Sequence, residues 1–150
     1  MKKILVTIQE KQFNTAQIKL LEAVIRSTYT THVGVKKILV IWCMIPQGQA
    51  YTNYQPSQSS LISMECDNGF DQDKRIKLLK NLEQDWTSIT GQDSNYVMLS
   101  LIESDVFNVL LDANHERLTF MGRIKLQVHM VSSLLRSQLL NGFLSFYPNL

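Results

Sequence analysis

An α+β domain built from tandem β-α-β units is what this sequence predicts. The order β-α-β-β-α-β gives a four-stranded sheet with two helices on one face, followed by a C-terminal helical extension. Three observations carry the prediction. The stretch Ser60–Trp86 (SLISMECDNGFDQDKRIKLLKNLEQDW) runs from an apolar strand through a tight polar turn into an amphipathic helix. The chain before it follows the same plan: strand, helix, glycine, strand. The two copies keep a nearly constant offset, with 58 residues from Ile4 to Ile62 and 57 from Gly34 to Gly91. Right-handed crossovers in both units place both helices together on one face of the sheet.

Each element has its own signal. Lys3–Gln9 is a short apolar, β-branched run bounded by polar residues, hence a strand. Asn14 offers an N-cap, and Ile18, Leu21, Ile25 and Thr28 follow at helical spacing up to Gly34, a natural left-handed C-cap. Val35–Ile45 (VKKILVIWCMI) is a deeply buried strand stopped by Pro46. Pro46–Ser60, with two prolines, a glycine and no charge, reads as a surface loop or loose hairpin arm with Tyr51 and Tyr54 half-buried. In the second copy, Asp71 caps a helix whose inner stripe is Ile76, Leu79, Leu82, Trp86 and Ile89. Gly91 ends that helix and Tyr96–Ile102 closes the sheet. Glu103–Asn114 reads as an irregular connector. Arg123–Leu140 is a helix with Ile124, Val128, Val131, Leu135 and Leu139 on one face; Asn141-Gly142 stops it and FLSFYPNL is an apolar end. The domain is thus placed at 1–114 and the extension at 115–150, packed on its own or a neighbouring subunit.

Two strands, VKKILVIWCMI and YVMLSLIES, are apolar on both sides, and such strands are normally covered on both faces. Oligomerisation is the favoured cover, with the extension folding back as the alternative.

At 150 residues the chain is long enough to bury one core, and 45% hydrophobic with 19% charged residues is an ordinary globular balance. The net charge of +2 gives no electrostatic argument for nucleic acid. Residues 115–150 carry Arg117, Arg123, Lys125 and Arg136 against Glu116 alone, a net of +3 that leaves −1 for the rest. A solvated helix face explains that asymmetry first, a partner surface second, and membrane-surface binding is the sharper alternative. The apolar run after MKK is too short for a signal peptide, and the longest run, Ile38–Ile45, is too short to span a bilayer. Cys43 and Cys66 sit in apolar strands, which fits reduced, inert core thiols in a cytoplasmic protein.

With both halves in view, the chain resembles the tautomerase superfamily, the group of 4-oxalocrotonate tautomerase, macrophage migration inhibitory factor and malonate semialdehyde decarboxylase. KKILVTIQE, AQIKLLEAVIRSTYTTHVGV, ISMECDNGFDQDKRIKLLKNLEQD and YVMLSLIES carry the resemblance, which spans roughly residues 2–114. It implies trimers for chains with two units. It also implies catalysis by a proline directly after the initiator methionine, with basic side chains holding a substrate carboxylate and no cofactor. Four departures alter that expectation. Lys2 stands where the proline would be, and Phe70, not arginine, follows Gly69. SQSS precedes the third strand where arginine is common, and VFNVLLDANH replaces a tryptophan-and-glycine segment.

Proline-based catalysis is therefore absent, and the expected base is Lys2 or the amine of a retained Met1. An ordinary α-amine titrates near ~7.7–8.0, close to what a general base needs, whereas a lysine amine starts near ~10.4 and needs desolvation or crowding by cations. Lys36 and Lys37 are the expected carboxylate ligands, and Phe70 and Phe107 stand at the positions expected to line the pocket. The implied function is a keto–enol tautomerase-like protein that acts on or binds a small carboxylated keto or enol compound. The alternatives are a non-catalytic trimeric binding platform and a ferredoxin-like regulatory domain sensing a ligand at a dimer interface. His32, His115 and His129 show no metal-binding spacing, and His32 reads as a helix-dipole partner. Asp71, Asp73 and Glu83 read as a cap and a solvated helix face.

Overall fold

Alternation along KKILVTIQ sends Ile4, Val6 and Ile8 to one side of β1 (Lys2–Gln9), and this strand lies in the middle of the sheet. The computed structural model describes residues 1–116 and 120–148. Arg117 and the last two residues of the apolar end lie outside them, as do the side chains of 111–116 and 120. After β1 come α1 (Thr15–Val33), β2 (Ile38–Ile45), a small hairpin of β3 (Tyr51–Thr52) and β4 (Gln55–Pro56), and β5 (Ser60–Cys66). Then follow α2 (Gln72–Thr90), a 3-10 turn (Ser94–Tyr96), β6 (Val97–Glu103), α3 (Ser104–Glu116), α4 (Phe120–Asn141) and β7 (Ser145–Phe146).

The sheet order is β6-β5-β1-β2-β7. β1 pairs parallel with β2 and antiparallel with β5, and β5 pairs parallel with β6. This is the tandem β-α-β plan, with α1 and α2 packed against each other on one face. A fifth strand is added: two residues of the apolar end pair parallel with the free edge of β2. Trp42 N donates to Leu144 O at 2.9 Å, and Phe143 enters the core.

Local chemistry explains the helix ends. The Asn14 side chain accepts from Gln17 N while Gln17 reaches back to Asn14 N, a complete capping box. Asp71 accepts from Lys74 N at 2.9 Å. Gly34 and Gly91 stop the two helices at φ 80° and 69°, a region costly to side chains bearing a Cβ. Ile18, Leu21, Ile25 and Thr28 are buried on α1 as the spacing predicts.

Three expectations are corrected. The buried line of α2 is Leu78, Leu82 and Trp86, spaced by four, while Ile76 is exposed and Leu79 and Ile89 pack at the margin. Trp86 sets this phase: its ring stacks on Trp42 at 6.3 Å and meets Phe13 edge-on at 5.9 Å. Tyr51 and Tyr54 are exposed, Tyr54 at 98%, because the hairpin points them away from the sheet. Asn53 and Tyr54 take its two turn positions at φ 51° and 63°. Glu103–Asn114 is not irregular. It is mostly α3, a stretch free of glycine and proline that buries Phe107 at 6% exposure and leaves Val106, Val109 and Leu110 outside.

The second face of the sheet stays open in the single chain. Leu5, Leu39 and Ile41 are only partly covered, and Met98 is 66% exposed. On α4, Ile124, Val128, Val131, Leu135 and Leu139 also face outward, so the predicted stripe is present and unpartnered within the chain. Among the described residues no helix is long and apolar enough to cross a membrane, and no cluster of three His, Cys, Asp or Glu side chains is suited to hold a metal ion.

Candidate functional site

Strand register brings distant residues to one corner. Antiparallel pairing of β1 with β5 sets Lys2 and Lys3 beside Glu65, Cys66 and Asp67. Parallel pairing of β5 with β6 sets Cys66 opposite Glu103, so the first residue of α3, Ser104, arrives at the same place. The Lys2 ammonium lies 2.6 Å from Asp67 Oδ1 and 3.8 Å from Glu65 Oε1, and it donates to Ser104 Oγ at 2.7 Å. Ser104 Oγ is in turn 2.9 Å from Glu65 Oε1 and 2.8 Å from the Cys66 carbonyl, one hydrogen serving either acceptor. Glu65 is buried, and its second oxygen accepts from Lys3 N at 3.1 Å. A buried carboxylate needs such partners.

The corner extends inward. Arg75, on the first turn of α2, pairs with Glu103 at 3.3 Å and donates to Leu101 O, while its buried Nε has no hydrogen-bond partner. Tyr29, fully buried on α1, donates to the Glu65 carbonyl. Its phenol is held well above the usual range, by burial first and then by Cys66, Glu65 and Asp67. Burial also pushes the Cys66 thiol up, with Arg75 opposing it. Cys43, on β2, is raised by burial as well.

A phenol whose folded pKa is raised contributes stability that is fully present below the unfolded value, 10.0, and is lost as pH climbs above it. Unfolding free energy is therefore expected to fall above about pH 10, by up to about 1.4 kcal/mol per pH unit from this group. Tyr29→Phe should flatten that decline, as urea titrations between about pH 8 and 12 would read.

The expected site residues are only partly brought together. Met1 projects into solvent at 75% exposure. Lys2 is enclosed by two carboxylates and a hydroxyl rather than by cations. Lys36 and Lys37 are exposed just before β2, at the same end of the sheet, and Lys37 O accepts from Lys2 N at 3.0 Å. Phe70 is half-buried and packs against the core. Phe107 is turned inward, with the Lys3 ammonium 5.9 Å above its ring. None of these residues lines any of the four main cavities of the subunit. His32, in the last turn of α1, contacts Asn81 of α2 at 3.0 Å.

Glu65, Asp67, Ser104 and Arg75 escaped the sequence reading. One signal for them exists: Glu65 is the single charge in an apolar strand, and a charge so placed implies a partner.

A doubled β-α-β sheet with both helices on one face defines a structural class. Native Ps01740 shares that fold with a TM-score of 0.63 and 20% identity, over 67% of this chain and 92% of that one. A fused 4-OT wild-type symmetric trimer shares it at 0.60 and 14% identity, over 67% and 84%. Malonate semialdehyde decarboxylase follows at 0.56 and 16% identity, over 67% and 83%. No protein-family model and no curated protein matches the sequence. The fold of this chain is that of the tautomerase superfamily.

Proposed function

We propose that the protein is a homotrimeric tautomerase-superfamily member that binds a small carboxylated keto or enol compound and does not use residue 2 as a base. The observation that carries this reading is the enclosure of the Lys2 ammonium by Asp67 at 2.6 Å, Ser104 at 2.7 Å and Glu65 at 3.8 Å. A general base must hold a free electron pair within reach of the substrate proton. Here the ammonium's hydrogens are directed at protein acceptors, and two carboxylates beside it repel an incoming carboxylate. In this reading Lys36 and Lys37 attract the ligand, Phe70 offers a partial apolar wall, and Phe107 supports the corner from below. The trimer rests on the open second face of the sheet and on the trimeric assembly of the fused 4-OT relative. The exposed stripe of α4 is a further surface for a neighbouring subunit.

One observation favours a second reading, tautomerase activity through the terminal amine: Met1 is exposed at the same corner.

Ketonisation of an aryl enol-pyruvate, followed by ultraviolet absorbance, tests both readings. The comparison is of the native chain, Lys2→Gln, which keeps Met1, and Lys2→Pro with its methionine removed. The expected result is no native rate above buffer, no change in Lys2→Gln, and a trimer by sedimentation equilibrium. Native activity that collapses in Lys2→Gln would make Lys2 the base and overturn the proposal. Native activity that persists there and is lost on blocking the α-amine selects Met1. Gain of activity in the proline form alone indicates an intact pocket without its base.

A further inference from the structure

We infer that a cleft at the opposite end of β1, between the start of α1 and the C-terminal extension, is a binding site for an amphipathic carboxylate. It lies about 20 Å from Lys2, six residues along the strand, and requires neither catalysis nor the trimer.

The cleft encloses about 550 Å³, within the range of small-molecule sites. Its floor is apolar and comes from the domain: Ile8, Phe13, Ile18 and Met44. Leu140 and Phe143 of the extension close the other side. This wall is held in place. Ser145 N donates to the buried Ser137 Oγ at 2.7 Å, and β7 pairs with β2. The cleft is therefore a product of the extension folding back.

Two cations line this cleft, from opposite sides. Lys11 comes from the loop between β1 and α1, and Arg136 from the last turns of α4. Among the described residues neither has an ion-pair partner. Glu10 is the one acid lining the cleft, and it faces the Tyr147 phenol. The cleft's side chains thus carry one positive charge more than negative. Lys11 also adopts φ 65°, the left-handed region that costs a lysine roughly 1–2 kcal/mol. Strain of this kind persists where surrounding structure enforces it, as at ligand clamps.

An apolar floor beneath a lysine and an arginine suits a single carboxylate on a hydrocarbon or aryl body. The arginine fork donates to both carboxylate oxygens, the lysine supplies a point charge, and the body displaces water from the floor.

Isothermal titration of the full chain with octanoate tests this, with octan-1-ol as the neutral counterpart. Lys11→Gln/Arg136→Gln removes both surface charges, and Ser133→Phe fills the cleft from a half-buried position on α4. Saturable binding of one octanoate per chain is expected, at least tenfold weaker in each variant, with octan-1-ol weaker than octanoate in the native chain. Circular dichroism melts confirm that both variants fold. Non-saturating uptake, or octanoate binding unchanged in both variants, overturns the proposal. Octan-1-ol binding as tightly as octanoate overturns the assignment of an anion.

Discussion

Trp86→Ala is expected to lower the unfolding free energy by about 3–5 kcal/mol and the melting temperature by roughly 10 °C. The residue is fully buried on α2, and three contacts converge on it. Its ring stacks on Trp42 and takes the edge of Phe13, and its Nε1 donates to Gln92 Oε1 at 2.9 Å. Trp42 links this cluster to Phe143 of the extension at 6.3 Å. Truncation therefore opens a cavity where the second helix, the second strand and the apolar end meet. It also leaves the Gln92 carbonyl short of one donor. Trp86→Phe, which restores most of the volume and none of the hydrogen bond, should recover more than half of the loss. Urea unfolding of the three forms provides the measurement.

The second large effect is expected at the Lys2 corner. Removing one partner of a buried ion pair costs about 3–5 kcal/mol in general. Here the figure is discounted to about 2–4 kcal/mol, because Asp67 is exposed and Glu65 keeps Lys3 N and a hydroxyl hydrogen it shares with the Cys66 carbonyl. Lys2→Met is expected to fall in that range. Adding Glu65→Gln should return most of it, since a neutral amide still accepts from Lys3 N and no longer strands a charge. A double-mutant cycle with a coupling of at least about 1 kcal/mol is the expected outcome. Additive losses would mean that Lys2 acts through its apolar stem alone.

Much of the architecture was legible because its signals are local. Asn14, Asp71, Gly34 and Gly91 each mark a helix end through the backbone groups they satisfy or the φ they tolerate. The phase of α2 was not so marked. In RIKLLKNLEQDW both Ile76 with Leu79 and Leu78 with Leu82 fit a helical stripe. The decision belongs to Trp86, whose large ring must reach Trp42 and so pulls the residues four and eight positions earlier inward. Among the described side chains of α3 only Phe107 is buried, and periodicity reports burial rather than helix formation. β7 escaped notice for a different reason. It is two residues long, and the β2 edge supplies its hydrogen bonds. The corner around Lys2 was the least legible part. Its members lie at positions 2, 65, 67 and 104, and only the antiparallel register of β1 on β5 together with the parallel register of β5 on β6 unites them.

The central place of β1 has a consequence for synthesis. Its parallel neighbour β2 follows within the same unit, but β5, on its other edge, begins 51 residues after β1 ends, from Gln9 to Ser60. At about 5–20 residues per second, a ribosome takes roughly 3–10 s to deliver it. For that interval the nascent chain holds ILVIWCMI and the inner side of β1 without their second helix, with the β5 edge of β1 and the β7 edge of β2 both open. The first half thus keeps apolar strand surface uncovered until Ser60–Trp86 arrives to pair with β1 and cover it.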